Sequence, residues 1–440
     1  MRTSPGTPLG TGLGTSLDSR VEACGQQLNQ WSSSTKLLAI WSLLLATLQL
    51  FTLPAAVLSM VVKVTDFQAF FRAGRWMLGP QTSPLYPLTS FAGYSGPPAE
   101  LTLYLNPPHF LMAFSPLLSL PLRTAYLLFS VLNLVCFFAT VWVLRPFMRS
   151  WKNGQGFCAV TLLIGSPFLT AAIAQGTFSM PITLCLAVVV SHDLQQRTAT
   201  WRGALLSGFC LSLISMKPQY LILIGLYLFA RAQWKVLVVG VSATAAWLGA
   251  SVATMGIQPW LEYPRFMQIF TQQLDTYDTG DRSSYWVAEQ MLNVRGVFVR
   301  VLSFSQAGLI NTLSTAVLLL AVGVIVAIGF RVRRGQLDPI VAWCLVMLAM
   351  LATSGHANPP DGVTIMIPAV LGWSVLRSAR LRTFAAWMIP ALTVVSFTTL
   401  GAMHRGSLPI LGLVLVGVTV GSLIANRTRK PRPGRRLRAT

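Results

Sequence analysis

Long uninterrupted apolar runs constrain this chain more than any other feature. Several of them, such as 37–62, 236–254 and 307–330, are as long as the roughly 18–20 residues that cross a bilayer. Backbone groups cannot stay unpaired in lipid, so such runs form helices or a closed barrel. Barrel strands alternate in polarity over about ten residues, whereas these runs are continuous. The sequence therefore predicts an all-α polytopic membrane protein, and a charged fraction of only 10% excludes a soluble fold.

The predicted order of segments is a tail, a membrane domain and a second tail. Residues 1–35 form a disordered cytoplasmic tail rich in Gly, Ser and Thr, 36–426 form the membrane domain, and 427–440 form a basic cytoplasmic tail. About twelve spans are expected, at 37–62, 122–144, 157–174, 178–192, 203–216, 218–231, 236–254, 307–330, 340–353, 364–376, 383–402 and 408–425. Two outer loops are expected at 63–121 and 255–306, the first with a re-entrant or interfacial piece at 103–120.

The distribution of basic residues predicts the orientation. With the N-terminus inside, most of the 33 Lys and Arg fall on the inner side, in 1–36, 145–152, 197–202, 231–235, 331–334, 377–382 and 427–438. Both termini are therefore expected in the cytoplasm and the protein in the cell (inner, plasma) membrane, among its lipids. This placement explains the net charge of +21 without nucleic acid, which is not expected as a partner.

The outer side receives polar groups from distant parts of the sequence. Asp66 follows the first span, and Thr65 with Gln68 matches a capping box that opens a short amphipathic helix suited to the membrane interface. Gln175, Lys217 and His356 fall on the same side. Polar groups at span ends are costly unless they are buried in protein or face water. The sequence therefore predicts a polar cavity at the outer face.

Several motifs carry a resemblance to a known family. They are DFxxFxxAGxxxLxG at 66–79 with Pro84-Leu85-Tyr86, NPPHFLMAFSPLLSLP at 106–121, AQG at 174–176, MKPQ at 216–219 with Gln233-Trp234-Lys235, and a late loop with His356 and Asp361. In this order they resemble glycosyltransferase family 87, a group of polytopic GT-C enzymes similar to mannosyltransferases that use polyprenyl-phosphate mannose. The late loop departs from the family pattern, because two prolines stand where an aromatic residue usually precedes the Asp.

The resemblance implies roles for particular residues. Asp66 is expected to act as the general base of an inverting transfer; the competing interpretation is an acid that only complements a helix dipole. Lys217, Arg72 and Arg75 are candidates to bind the leaving phosphate. The competing interpretations are that the Lys217 side chain only snorkels to the membrane surface, and that the two arginines only form a solvated helix face. The remaining candidates for substrate binding are His356, His109, Gln175, Tyr86 and Asp361, although interfacial aromatic belts also explain a tyrosine.

The expected donor is a sugar, most simply mannose, on a polyprenyl phosphate, and the acceptor a hydroxyl of a lipid or glycan. No cofactor is expected, because the sequence has no Rossmann or P-loop fingerprint in the structural context that such a motif needs. No metal is expected, because the six cysteines lack metal-ligand spacing and the acidic loop 275–289 lacks the pattern of a calcium loop. The alternative function is a lipid or solute transporter or flippase, which typically places ionisable groups near the bilayer midplane.

Overall fold

The computed structural model describes residues 33–60, 66–79, 85–86, 104–148, 164, 166–274, 292–302, 306–354 and 357–375. Within these ranges the chain forms helices and no strand. The α-helices are α1 Ser33–Met60, α2 Asp66–Leu78, α3 Leu122–Met148, α4 Pro167–Ala174, α5 Ser179–Leu194, α6 Trp201–Ile214, α7 Pro218–Ala230, α8 Trp234–Met255, α9 Gln258–Leu274, α10 Val294–Leu302, α11 Ala307–Arg333, α12 Pro339–Thr353 and α13 Met366–Val375. Three 3-10 helices lie at Pro108–Leu117, Arg197–Ala199 and Pro359–Ile365.

The helices agree with a polytopic membrane protein. By length and composition, Leu122–Met148, Trp234–Met255 and Gly308–Arg333 could each cross a bilayer. Shorter apolar helices, among them α5, α6, α7 and α12, accompany them. The expected spans at 383–402 and 408–425 lie outside the described residues, so the number twelve stays a prediction. The piece at 103–120 is not a regular α-helix; it contains the ten-residue 3-10 helix Pro108–Leu117.

Local sequence explains where the helices begin. Pro218 and Pro339 stand at the first positions of α7 and α12, where the missing N–H costs nothing. The Asp338 carboxylate accepts a hydrogen bond from the backbone N–H of Ile340 at 2.7 Å and caps α12. The Thr200 hydroxyl caps α6 in the same way. The short apolar helices α6, α7 and α12 thus have defined starts, which fix which side chains lie at their two ends.

The segment 255–306, expected as the second outer loop, contains the helices α9 and α10. Helix α9 is amphipathic, and Phe266 on its apolar side is buried against the core, which is the tertiary reason why a polar stretch folds here.

A buried ion pair joins three short helices at the end that carries many of the basic residues, here called the basic end. Asp193 at the end of α5 is 3% exposed and pairs with Arg231, which follows α7. The same carboxylate accepts hydrogen bonds from the Trp343 indole of α12 at 2.7 Å and from the Gln233 amide at 3.1 Å. Because α5, α7 and α12 meet here, their opposite ends also lie together. Those ends carry Ser179, Lys217 and the segment that leads to Asp361.

Candidate active site

An aromatic cluster under α2 fixes the position of the helix that begins with Asp66. Its members are Phe67, Phe70, Phe110, Phe114, Phe129 and Phe178, all buried. The Phe67 ring lies 5.4 Å from Phe129 and 5.9 Å from Phe114, and Phe178 lies 4.6 Å from Phe114. Such ring pairs contribute about 0.5–1.5 kcal/mol each beyond burial. The first turn of α2 is therefore held against the 3-10 helix Pro108–Leu117, α3 and the start of α5.

The Ala174-Gln175-Gly176 turn after α4 holds the start of α2 from the other side. The backbone N–H of Phe67, one of the unpaired donors in the first turn of a helix, donates to the Gln175 carbonyl at 3.2 Å. The Tyr126 hydroxyl of α3 donates to the Ala174 carbonyl at 2.5 Å. Gly176 has φ of +62°, and a Cβ there would lie 2.6 Å from Cβ of Phe67. Glycine is needed at this position both for its backbone conformation and for the close approach.

Replacing Gly176 with alanine is expected to misplace Asp66. The added methyl group must push Phe67 away, and the alanine must adopt a left-handed backbone conformation. We therefore expect the free energy of unfolding to fall by at least about 1 kcal/mol, and the activity per folded molecule to fall by a larger factor. Thermal unfolding in detergent and transfer assays measure the two effects. Gly249→Ala on α8 is the matched control, because nothing lies within 4 Å of its added Cβ. Equal behaviour of the two variants contradicts the role given to the turn.

Lys217 stands at the start of α7 because of the proline that follows it. A residue before proline is disfavoured in the α region, and Lys217 has φ of −119° and ψ of 80°. Its backbone carbonyl still accepts from the Tyr220 N–H at 2.9 Å. The side chain is 16% exposed, and its ammonium lies 5.6 Å from the centroid of the Tyr220 ring. The MKPQ motif therefore places one cation at the end of α7 that faces away from the basic end.

Asp361 meets Lys217 from a distant part of the chain. It is the third residue of the 3-10 helix Pro359–Ile365, in which Asn358 is the N-cap and the Asp361 side chain completes a capping box. One carboxylate oxygen of Asp361 forms an ion pair with Lys217 and accepts a hydrogen bond from the Ser179 hydroxyl at 2.6 Å. The other accepts from the backbone N–H of Asn358 at 3.2 Å. The Thr177 hydroxyl donates to that of Ser179 at 3.1 Å, which extends the network.

Asp66 lies beside this network without joining it. Within the described residues its carboxylate forms no ion pair and no hydrogen bond, and it is partly buried. Burial raises the pKa of Asp66 from 3.8 to about 6; the Lys217 ammonium opposes that rise and the Asp361 carboxylate adds to it. A carboxylate with this pKa is mostly ionised at pH 7 and can still accept a proton, as a general base must. The structure thus brings Asp66, Lys217 and Asp361 together from three distant segments.

The other candidates fall into different surroundings. Arg72 and Arg75 lie on the exposed face of α2, further along the helix from Asp66. His109 is 3% exposed, its ring is stacked on Trp260 with centroids 5.5 Å apart, and its Nε2 lies 3.2 Å from the Ser215 hydroxyl. Burial lowers the pKa of His109 to about 4, so the ring is neutral at pH 7.

Tyr86 and Gln175 contact the protein rather than an open surface. Tyr86 is fully buried, donates to the Asn106 carbonyl at 2.6 Å and packs its ring 5.2 Å from that of Phe266. These contacts favour a packing role over stacking on a sugar. Gln175 contributes its backbone carbonyl to the start of α2, while its side chain is half-buried. His356 and the capping residue Thr65 lie in segments that the structure does not describe.

Sequence reasoning missed three side chains around the Lys217–Asp361 pair, those of Thr177, Ser179 and Tyr220, of which the last two act directly on the pair. Ser179 bridges Lys217 and Asp361, and the fully buried phenol of Tyr220 lies close enough to Asp361 to interact with its charge. Both follow closely after motifs noted above, AQG at 174–176 and MKPQ at 216–219, but hydroxyl residues in apolar spans are common and gave no separate signal. Across the described ranges, no group of three His, Cys, Asp or Glu side chains is placed to hold a metal ion.

Comparison with known protein families gives one match. The family model of glycosyltransferase family 87 matches residues 104–355, which is more than half of the chain. The chain belongs to glycosyltransferase family 87. The matched region contains Lys217, Ser179 and the aromatic 3-10 helix, whereas Asp66 and Asp361 lie on either side of it. No match was found among curated proteins or among solved structures.

Proposed function

We propose that this glycosyltransferase moves a hexose, with mannose as the first candidate, from a polyprenyl phosphate to a hydroxyl of a lipid or glycan at the outer face of the cell membrane. The observation that carries the proposal is the meeting of Asp66 with the Lys217–Asp361 pair at the start of an amphipathic helix. A membrane-embedded lipid phosphate and a water-soluble hydroxyl can meet at such a place. Family membership supports sugar transfer, and the donor and acceptor are part of the proposal.

The proposed chemistry is a single inverting displacement. The acceptor hydroxyl attacks the anomeric carbon while its proton passes to the Asp66 carboxylate. The new bond joins the acceptor oxygen to that carbon. The bond from the carbon to the phosphate oxygen breaks, and the polyprenyl phosphate leaves with the electron pair. Only one carboxylate is needed as base, because the phosphate is already a good leaving group. The raised pKa of Asp66, about 6, suits this role at neutral pH.

The leaving phosphate gains charge as the bond breaks and needs donors nearby. Within the described residues, Lys217 is the cation whose charge acts on the base, and its side chain is partly accessible. Arg72 and Arg75 on the exposed face of α2 suit the phosphate layer of a membrane surface, and His356 remains a candidate for phosphate or acceptor. The polyprenyl tail can stay in the bilayer during the reaction. This supports lateral entry of the donor from the outer leaflet.

The arrangement of ionisable groups favours an enzyme over a transporter. In the described part of the chain, the two buried ion pairs, Lys217–Asp361 and Asp193–Arg231, lie at opposite ends of the same short helices. Helix α7 between them has 13 residues and is about 20 Å long. A transporter typically places its binding site near the middle of such helices. Here the cluster with Asp66 lies at one end, where an interfacial reaction takes place.

The proposal is tested with purified protein in detergent. Polyprenyl-phosphate mannose, polyprenyl-phosphate glucose and GDP-mannose are offered in parallel with a panel of lipid and glycan acceptors, and products are identified by mass spectrometry. We expect transfer from a polyprenyl phosphate and none from GDP-mannose, with inversion at the anomeric carbon. Transfer from the nucleotide sugar alone contradicts the donor class. Movement of labelled lipid across proteoliposomes without sugar transfer supports the transporter instead.

A further inference from the structure

The charge of Lys217 acts on two carboxylates, but its ammonium pairs with only one of them. Among the described residues its ammonium forms an ion pair with Asp361 and none with Asp66, although both acids interact with its charge. The Ser179 hydroxyl, 3.3 Å from the Lys217 nitrogen and 2.6 Å from an Asp361 oxygen, fixes the pair from a third side. The cation is therefore held toward Asp361 by a built arrangement of side chains.

Asp361 itself is poorly placed to touch a substrate. Its side chain is 3% exposed, and both of its oxygens already have partners. Its backbone is fixed as well, because Pro359 and Pro360 open the 3-10 helix. The next residue, Gly362, packs so closely on the ring of Phe168 that an added Cβ would lie 2.5 Å from it. A carboxylate so enclosed is suited to orienting another group.

We propose that Asp361 is a positioning residue: it holds the Lys217 ammonium away from Asp66, so that the base stays free of a direct ion pair while the cation stays beside the site. This inference rests on the proposed role of Asp66 as the base and adds a role for Asp361 that substrate binding does not describe. Asp361 acts through Lys217 and contacts no reacting atom.

The reason lies in the competition between the two acids for one cation. An ammonium that pairs directly with a carboxylate stabilises its charged form and makes it a weaker base, commonly by 1–3 pKa units. Without the charge of Asp361, the flexible Lys217 side chain has one remaining carboxylate beside it, Asp66. Moving the ammonium there lowers the pKa of Asp66 and blocks its oxygens. Asp361 therefore keeps Asp66 basic in two ways, by its own charge and by retaining the cation.

Few other charged groups face Asp66 from the elements packed around it. The 3-10 helix Pro108–Leu117 contributes His109, whose ring is stacked on Trp260 and neutral at pH 7. Helix α3 contributes Tyr126, whose hydroxyl is bonded to the Ala174 carbonyl. The turn after α4 contributes no titratable side chain, and Arg72 and Arg75 lie further along α2 itself. Within the described residues, Lys217 and Asp361 are the two charges that act on Asp66.

The test measures the pKa of Asp66 by two routes. The first is the acid limb of the pH profile of kcat/KM for sugar transfer. The second needs no activity: it is the difference in thermal stability between the wild type and Asp66→Asn as a function of pH. Because the folded pKa lies above 3.8, the unfolded chain releases the Asp66 proton first, so the stability of the wild type relative to the variant falls as pH rises from about 4 to about 6.

Asp361→Asn is expected to move both midpoints to lower pH by about one unit or more. Asparagine keeps the shape and can still accept from the Asn358 N–H, so the capping box survives. Ser179→Ala, which loosens the pair without removing a charge, is expected to give a smaller shift in the same direction and serves if Asp361→Asn does not fold. Asp338→Asn at the basic end is the control and is expected to leave the midpoint near 6.

Midpoints that stay near 6 in both Asp361→Asn and Ser179→Ala, or that move upward, overturn the inference, even if transfer is lost. Loss of transfer with an unmoved midpoint means that Asp361 is only structural. Failure of the proposed function looks different: Asp66→Asn then transfers sugar as well as the wild type. In that case the stability measurement still decides whether Asp361 keeps Lys217 away from Asp66.

Discussion

Asp66→Asn is expected to lower sugar transfer by at least about 10²-fold while the protein stays folded. Asparagine has nearly the same shape but cannot accept the acceptor's proton at neutral pH. The loss should appear in kcat as well as in kcat/KM, because the proton moves only in the transition state. In the wild type, activity should fall about tenfold for each pH unit below about 6, as the base becomes protonated.

The stability of Asp66→Asn distinguishes a general base from an acid that only complements the helix dipole. A carboxylate whose pKa is raised by burial destabilises the folded state when it is ionised, so Asp66→Asn should be at least as stable as the wild type at pH 7. A helix-dipole role predicts the opposite, a loss of about 0.3–1 kcal/mol. Thermal unfolding in detergent distinguishes the two, with Asp338→Asn as a control that keeps full transfer. A destabilised Asp66→Asn with normal transfer per folded molecule would falsify the base assignment.

Asp193→Asn is expected to have the largest effect on stability, a loss of about 3–5 kcal/mol. The Asp193 side chain is fully buried, and its charge is the partner that the structure gives to the Arg231 guanidinium. Asparagine leaves that cation with a neutral partner in a low-dielectric interior. The Trp343 and Gln233 hydrogen bonds to the same group weaken as well. Equilibrium unfolding in mixed micelles of SDS and a mild detergent measures the change.

Two further variants define what the Asp193 measurement means. Asp338→Ala removes an exposed cap at the same end and should cost only about 1 kcal/mol. Asp193→Leu combined with Arg231→Met removes both charges and should recover much of the loss, because an apolar pair of similar size can replace a buried ion pair. Transfer per folded molecule should be unchanged, since this network lies at the end of α5 and α7 opposite Asp66. A loss no larger than that of Asp338→Ala contradicts the assignment.

The sequence predicted the start of α2 well because the local signals there agree. The expected short amphipathic helix is present: on α2, Phe67, Phe70, Phe71 and Gly74 are buried, and Arg72 and Arg75 are exposed. It predicted the helical content of 255–306 poorly. The apolar side of α9 is recognisable only in the folded protein, where Phe266 packs against the core. By composition alone, a stretch with many polar residues indicates a loop.

The sequence did not predict that Lys217 pairs with Asp361. The two residues are separated by 144 positions, and each motif was recognised by itself as a candidate for substrate binding. Nothing in either motif tells whether a buried carboxylate faces a substrate or a lysine, because both environments tolerate the same residues. The sequence did not indicate the bridging role of the Ser179 hydroxyl either, because a serine in an apolar helix can form many different hydrogen bonds.

The sequence by itself determined the class of this protein, because lipid tolerates only helices when runs of apolar residues are this long and this continuous. It also determined where α6, α7 and α12 start, through proline and capping residues that act over a few positions. Only the tertiary structure decided which polar ends meet. Helices α5 and α7 both pack against α12, and this packing brings their polar ends together, so that Lys217 pairs with Asp361 while its charge also acts on Asp66.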